Sequence, residues 1–68
     1  MSTKERTIGQ ELGEFRRARG VSAYRLSAES GVSESAIGEI ERGKRDPYAS
    51  TLAKLAGALG ARITITEA

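Results

Sequence analysis

Cysteine and histidine are both absent from this 68-residue chain, and their absence excludes whole classes of chemistry. Without them the chain cannot form a zinc finger, a disulfide, a thiol nucleophile or a histidine acid–base catalyst. Carboxylates are present, but Glu39 and Glu41 lie two positions apart on a predicted helix and so do not face each other. The sequence therefore predicts no catalytic residue, no metal and no cofactor.

Long apolar runs are also lacking. No segment approaches the roughly 20 consecutive apolar residues that a membrane-spanning helix needs, and after Met1 residues 2–7 are all polar or charged. We therefore expect a cytoplasmic protein with no membrane partner. A chain of 68 residues can bury only one small core, and without disulfides or metal the remaining source of extra stability is a partner subunit.

Glycine, by contrast, occurs eight times. Gly20, Gly31, Gly43 and Gly60 each follow a segment with helical spacing, and a left-handed glycine commonly ends a helix. These glycines predict four helices and an all-α fold.

The starts of the first three helices are indicated by capping residues. Thr7 and Gln10 match a capping box ahead of a helix whose apolar residues are Ile8, Leu12 and Phe15. Ser22 and Ser33 are placed to cap the second and third helices. The predicted core residues of these two helices are Leu26, Ile37 and Ile40.

Only Gly31, Val32 and Ser33 separate the second and third helices, so the pair is a predicted helix-turn-helix. For the fourth helix we predict Asp46 as N-cap and Pro47 as first residue. Its core-facing stripe, at i, i+3, i+4 and i+7, consists of Leu52, Leu55, Ala56 and Leu59.

Beyond Gly60 the pattern changes to alternating apolar and polar residues rich in β-branched side chains, which is typical of a strand. A lone strand is unstable, so one interpretation is that Ile63 and Ile65 pair with a second copy to form a dimer. The other is a frayed tail. We thus divide the chain into a flexible N-terminal arm at 1–6, a domain at 7–60 and a C-terminal strand or tail at 61–68.

The sequence resembles the phage-repressor and Cro-type, or Xre, family of helix-turn-helix proteins. The most specific match is Gly-Val-Ser at 31–33 followed by Ile-Glu-Arg-Gly-Lys-Arg at 40–45. Further matching residues are Ile8, Gly9, Leu12, Arg16, Gly20, Val21, Ser22, Leu26, Ile37, Pro47, Leu52, Leu55, Ala56, Leu59 and Gly60.

The resemblance implies a compact lambda-repressor-like bundle of four or five helices whose third helix enters the major groove of double-stranded DNA. It implies base contacts from Glu34, Ser35 and Glu39, near the start of that helix and one turn on. Arg16 and Glu41 occupy positions that form a structural salt bridge in the family. The implied phosphate contacts are Ser22, Ser33, Arg42, Lys44 and Arg45.

Three features depart from the family pattern. Ala23 stands where many members have a phosphate-contacting Gln, Glu34 and Glu39 make the reading face acidic, and Gly38 lies inside the third helix. Glutamate can accept a hydrogen bond from the cytosine amino group, but it also repels phosphate.

Two classes of function follow. The first is a dimeric, sequence-specific transcriptional regulator, expected to be a repressor on a palindromic operator, with an antitoxin that also binds a toxin as a refinement. The second is a protein-interaction module that kept the fold and lost its affinity for DNA. The acidic residues on the outer face of the third helix are the observation that favours this alternative.

Overall fold

The computed structural model describes residues 7–62, which form four helices. They are α1 (Ile8–Ala18), α2 (Ala23–Ser30), α3 (Glu34–Glu41) and α4 (Ala49–Ala58). Helix α1 packs on α3, and α2 packs on both α3 and α4. The all-α fold and the helix-turn-helix formed by α2 and α3 are confirmed.

The core lies where the apolar stripes of the four helices meet. Leu26, Ile37 and Leu55 are fully buried, and Ile40 is almost so. Complete burial of an aliphatic side chain of this size contributes about 1.5–3 kcal/mol to stability. Leu12, Ala56 and Leu59 complete the buried set. The predicted core is therefore confirmed in α2, α3 and α4, although Leu52 is only half-buried.

The predicted helix ends are confirmed. Gly20, Gly31, Gly43 and Gly60 all have positive φ angles, from 71 to 81°. The amide of Lys44 donates to the carbonyl oxygen of Glu39 at 2.9 Å, which closes the last turn of α3 in a Schellman arrangement. The chain is thereby turned back beside α3 as soon as that helix ends.

The predicted caps of the first three helices are also confirmed. Thr7 and Gln10 form both hydrogen bonds of a capping box. The hydroxyl oxygens of Ser22 and Ser33 accept hydrogen bonds from the amides of Arg25 and Ala36, at 3.0 and 3.1 Å. Capping of this kind contributes about 1 kcal/mol per helix.

The predicted start of α4 is wrong. The helix begins at Ala49, and its N-cap is Tyr48, which is extended with ψ at 154° and makes no side-chain capping bond. Proline fixes its own φ but leaves the next residue free to stay extended, so Pro47 does not force a helix to begin. Asp46 and Pro47 therefore belong to the loop between α3 and α4.

Two further expectations concern the edges of the domain. Ile8, expected in the α1 stripe, is 43% exposed, because it lies in the first turn at the rim of the core. Ala61 and Arg62 are not in a strand. The predicted arm at 1–6 and the predicted dimer residues Ile63 and Ile65 lie outside the described residues.

Candidate nucleic-acid interface

Helix α3 is held close to α1 by two glycines on α1. A Cβ atom on Gly9 would overlap the carbonyl oxygen of Ile40, and it would lie 2.7 Å from the Cγ2 atom of the same residue. A Cβ on Gly13 would lie 3.0 Å from the Cγ atom of Glu41. Both glycines are buried. The backbone of α3 can therefore approach α1 only because these positions carry no side chain.

An ion pair joins the same two helices at the end of α3. The Nε and Nη2 atoms of Arg16 donate to the two carboxylate oxygens of Glu41, at 2.7 and 2.9 Å. The Nη1 atom of Arg16 donates to the carbonyl oxygen of Val21 at 2.7 Å. The structure thus brings together the two residues to which the family resemblance assigns a salt bridge, and it ties them to the start of the helix-turn-helix.

This pair is largely removed from water, with side-chain exposures of 12% for Arg16 and 9% for Glu41. The hydrogen bond to Glu41 raises the pKa of Arg16 above its usual value, and it outweighs the lowering that burial causes. A raised arginine pKa lies far above the pH range in which proteins are studied, so Arg16 stays charged there. The pair is therefore a structural salt bridge between α1 and α3, and its largely buried side chains are not placed to contact DNA.

The outward face of α3 carries the residues predicted to contact bases. Glu34 and Ser35, in its first turn, are exposed. Glu39, one turn later, has a side chain that is 38% exposed. Ile37 and Ile40 occupy the opposite face and are buried. The three predicted base-contacting residues thus lie on the solvent-exposed side of α3, and their contact with bases stays a prediction.

The two capping serines lie at the N-termini of α2 and α3. Both are exposed, and each uses its oxygen as an acceptor for the helix, which leaves the hydroxyl proton available for a further acceptor. The first amides of a helix have no partner within the helix. Ser22 and Ser33 thus lie at helix N-termini, which favour anions, and the phosphate contacts that the family resemblance implies for them stay a prediction.

The basic residues after α3 are exposed, as a phosphate contact requires: Arg42, Lys44 and Arg45. They are not equivalent. Arg45 forms an ion pair with Glu39, with its Nη2 atom 2.6 Å from the Oε1 atom, which joins a predicted phosphate contact to a predicted base contact. Arg42 extends back along α3, because a Cβ on Gly38 would lie 3.2 Å from its Nη1 atom.

Several of these contacts were not anticipated from the sequence. Gly9 and Gly13 have the four-residue spacing that puts two small residues on one face of a helix, and this spacing is a signal of close helix packing. Arg17 also lies 3.6 Å from Glu41, and the guanidinium of Arg19 stacks 4.4 Å from the ring centre of Phe15. The four-residue spacing of Phe15 and Arg19 is a signal that they share a helix face, whereas no sequence signal marks the Arg17–Glu41 contact or the Arg45–Glu39 pair.

Two tyrosines are largely exposed to solvent. Tyr24, near the start of α2, is 71% exposed, and Tyr48, before α4, is 83% exposed. Of the helices in residues 7–62, none has the length and apolar character needed to cross a membrane.

Comparison with known proteins agrees with this geometry. The helix-turn-helix family model HTH_3 matches residues 12–65. The chain is 46% identical over 53 residues to the uncharacterised HTH-type transcriptional regulator RghRB of Bacillus subtilis, covering 76% of this chain and 38% of that protein. It is 34% identical over 58 residues to the immunity repressor protein of Bacillus phage phi105, covering 85% of this chain and 40% of the repressor. The chain thus spans about two fifths of these two relatives.

A solved structure gives the same result in three dimensions. The restriction-modification controller protein C.AhdI of Aeromonas hydrophila superposes with a TM-score of 0.75 at 41% sequence identity. The match covers 79% of this chain and 82% of the controller protein. The chain therefore belongs to the helix-turn-helix family, and it is a DNA-binding domain of the type carried by transcriptional regulators, not an enzyme domain.

Proposed function

We propose that this chain acts as the DNA-binding part of a cytoplasmic repressor that binds a palindromic operator as a homodimer. The observation that carries the proposal is the division of α3 into two faces. Its inner face is sealed in the core, and its outer face presents polar side chains between the capped N-terminus of the helix and a basic loop. The names of the relatives, a phage immunity repressor among them, support repression.

In the proposed complex the outer face of α3 lies in the major groove. Glu34 and Ser35 contact base edges, while the hydroxyls and first amides at Ser22 and Ser33 bind phosphate oxygens on either side. Lys44 adds sequence-independent attraction to the backbone. Because Arg16 and Glu41 clamp α3 to α1, the helix enters the groove with its orientation already fixed.

The dimer is proposed from the sequence after α4, where Ile63 and Ile65 would pair with a second copy. A shallow apolar groove between α1 and α4 supports an apolar partner at this end of the domain. Its lining includes Ile8, Phe15 and Leu52, together with Ala61 and Arg62, which directly precede the proposed pairing residues in the sequence. Two such domains would contact half-sites about one helical turn apart.

A second candidate function is a protein-interaction module that retains the fold but binds DNA weakly or not at all. The acidic residue Glu34 at the tip of α3 and the exposed rings of Tyr24 and Tyr48 favour this candidate. Carboxylates repel phosphate, and exposed aromatic residues are enriched at protein interfaces. In this case the domain would bind DNA feebly and without sequence preference.

Selection from random duplex DNA separates the two candidates. We expect a palindromic sequence to be enriched, and its binding to weaken steeply between 50 and 200 mM salt, by about 10³- to 10⁵-fold if six to ten phosphates are neutralised. The double substitution Glu34→Ala and Ser35→Ala should relax preference at particular base pairs and leave the fold intact, since both side chains are exposed. If no sequence is enriched, the regulator proposal is wrong and the interaction module is favoured.

A further inference from the structure

The outer face of α3 has only acidic and neutral side chains of its own, yet it carries positive charge. The charge is brought by the loop that follows the helix. Gly43, with φ at 77°, turns the chain, and the amide of Lys44 then donates to the carbonyl oxygen of Glu39 at 2.9 Å. This hydrogen bond places the backbone just before Arg45 next to Glu39. The Nη2 atom of Arg45 lies 2.6 Å from the Oε1 atom of Glu39.

A second guanidinium occupies the neighbouring part of this face. Arg42 lies one turn after Gly38, and its Nη1, Nη2 and Cζ atoms would all be within 3.8 Å of a Cβ at that position. The missing side chain of Gly38 thus leaves the space in which Arg42 lies against α3. Glu39 and Gly38, which both depart from the family pattern, are the two positions against which the arginines lie.

We infer that Arg45, positioned by Glu39, contacts guanine in the major groove, and that Glu39 acts as its positioning residue. The inference rests on the proposed function and assigns new roles within it. A guanidinium has five N–H donors, and the single contact with Glu39 leaves a pair free for the O6 and N7 atoms of guanine. A carboxylate that holds an arginine in place reduces the freedom that the side chain must lose on binding.

The exposure of the pair fits this role. The side chains of Arg45 and Glu39 are 54% and 38% exposed, so this pair is not a buried structural salt bridge like that of Arg16 and Glu41. An exposed ion pair adds little to folding stability. Lys44 carries a charge on the same loop but differs from Arg45. Among the ion pairs of residues 7–62, none joins the side chain of Lys44 to α3.

The test is selection from random duplex DNA with six variants: Arg45→Ala, Arg45→Lys, Glu39→Ala, Glu39→Gln, the double Arg45→Ala and Glu39→Ala, and Lys44→Ala as a matched control. The wild type should prefer a G·C pair at one position of each half-site. Arg45→Ala should reduce preference at that pair by roughly 5- to 150-fold and leave the other positions unchanged. Arg45→Lys should reduce it as well, since lysine keeps the charge and loses the two-pronged geometry.

Glu39→Ala should weaken preference at the same base pair, and the double variant should match Arg45→Ala alone, because the two residues act through one contact. Glu39→Gln, which keeps an acceptor oxygen, should restore part of the preference. Lys44→Ala should weaken binding to all sequences alike and lower the salt slope by about one. Thermal unfolding of each variant should match the wild type.

Two results would overturn the inference while leaving the proposed function standing. If Arg45→Ala weakens all sequences alike, Arg45 contacts phosphate. If Glu39→Ala relaxes a different base pair from Arg45→Ala, Glu39 contacts a base itself. An absence of any enriched sequence with the wild type would instead overturn the proposed function together with this inference.

Discussion

Replacing Gly9 with alanine tests whether the close contact of α1 with α3 is a requirement of the fold. The added Cβ would overlap the carbonyl oxygen of Ile40, and it would also meet the Cγ2 atom of that residue at 2.7 Å. The first contact is with backbone, so no side-chain rotation can relieve it. The two helices must move apart along the stretch where Gly13 also packs on α3.

The magnitude follows from two opposing effects. Overpacking a core of this kind destabilises by about 1–3 kcal/mol, and a backbone clash belongs at the upper end of that range. Alanine gains up to about 1 kcal/mol over glycine in helix propensity, and less in a first turn. We therefore expect Gly9→Ala to lower the free energy of unfolding by about 2 kcal/mol. For a domain of this size the melting temperature should fall by roughly 10 °C.

The chain supplies a matched control in Gly57 on α4. It is exposed, and a Cβ there would meet nothing within 4 Å, so the same substitution adds a methyl group without a clash. Gly57→Ala should raise the free energy of unfolding by about 0.5 kcal/mol through helix propensity alone. Thermal and urea unfolding followed by circular dichroism, at one protein concentration, measures both variants. Equal stability of the two would refute the reasoning.

Two further substitutions test the clamp and the core. Glu41→Gln leaves the buried guanidinium of Arg16 without its counter-charge, so we expect a loss of about 3 kcal/mol in urea unfolding, and an unchanged stability would mean that the pair is dispensable. Leu55→Ala, at a fully buried position, should destabilise by about 2–5 kcal/mol, clearly more than Leu52→Ala at a half-buried one, and equal losses in the two variants would contradict the assigned core.

The elements that could be predicted from the sequence are those whose cause is local. A positive-φ glycine ends a helix wherever it stands, and a serine hydroxyl caps the amide three residues on, so Gly31 and Ser33 mark their turn without any knowledge of the fold. The predicted start of α4 is wrong for a related reason. Pro47 fits the first position of a helix, but a compatible φ does not oblige the following residue to leave the extended region.

The features that could not be predicted depend on a second segment. Gly9 looks like a weak point in α1 until the backbone of α3 is placed against it. Glu39 looks like an acidic residue facing DNA until the loop returns Arg45 to its side. In both cases the residue type is explained by a neighbour that is distant in sequence, and neither periodicity nor propensity contains that information.

The separation of the two faces of α3 has a consequence for how such domains diverge. The side chains that hold the helix in the bundle, among them Ile37, Ile40 and Glu41, are distinct from those exposed on its outer face, such as Glu34 and Ser35. A change at an outer position therefore leaves the core packing intact. In the proposed complex with DNA, selection could therefore change the recognised sequence one residue at a time while each intermediate keeps its packed core.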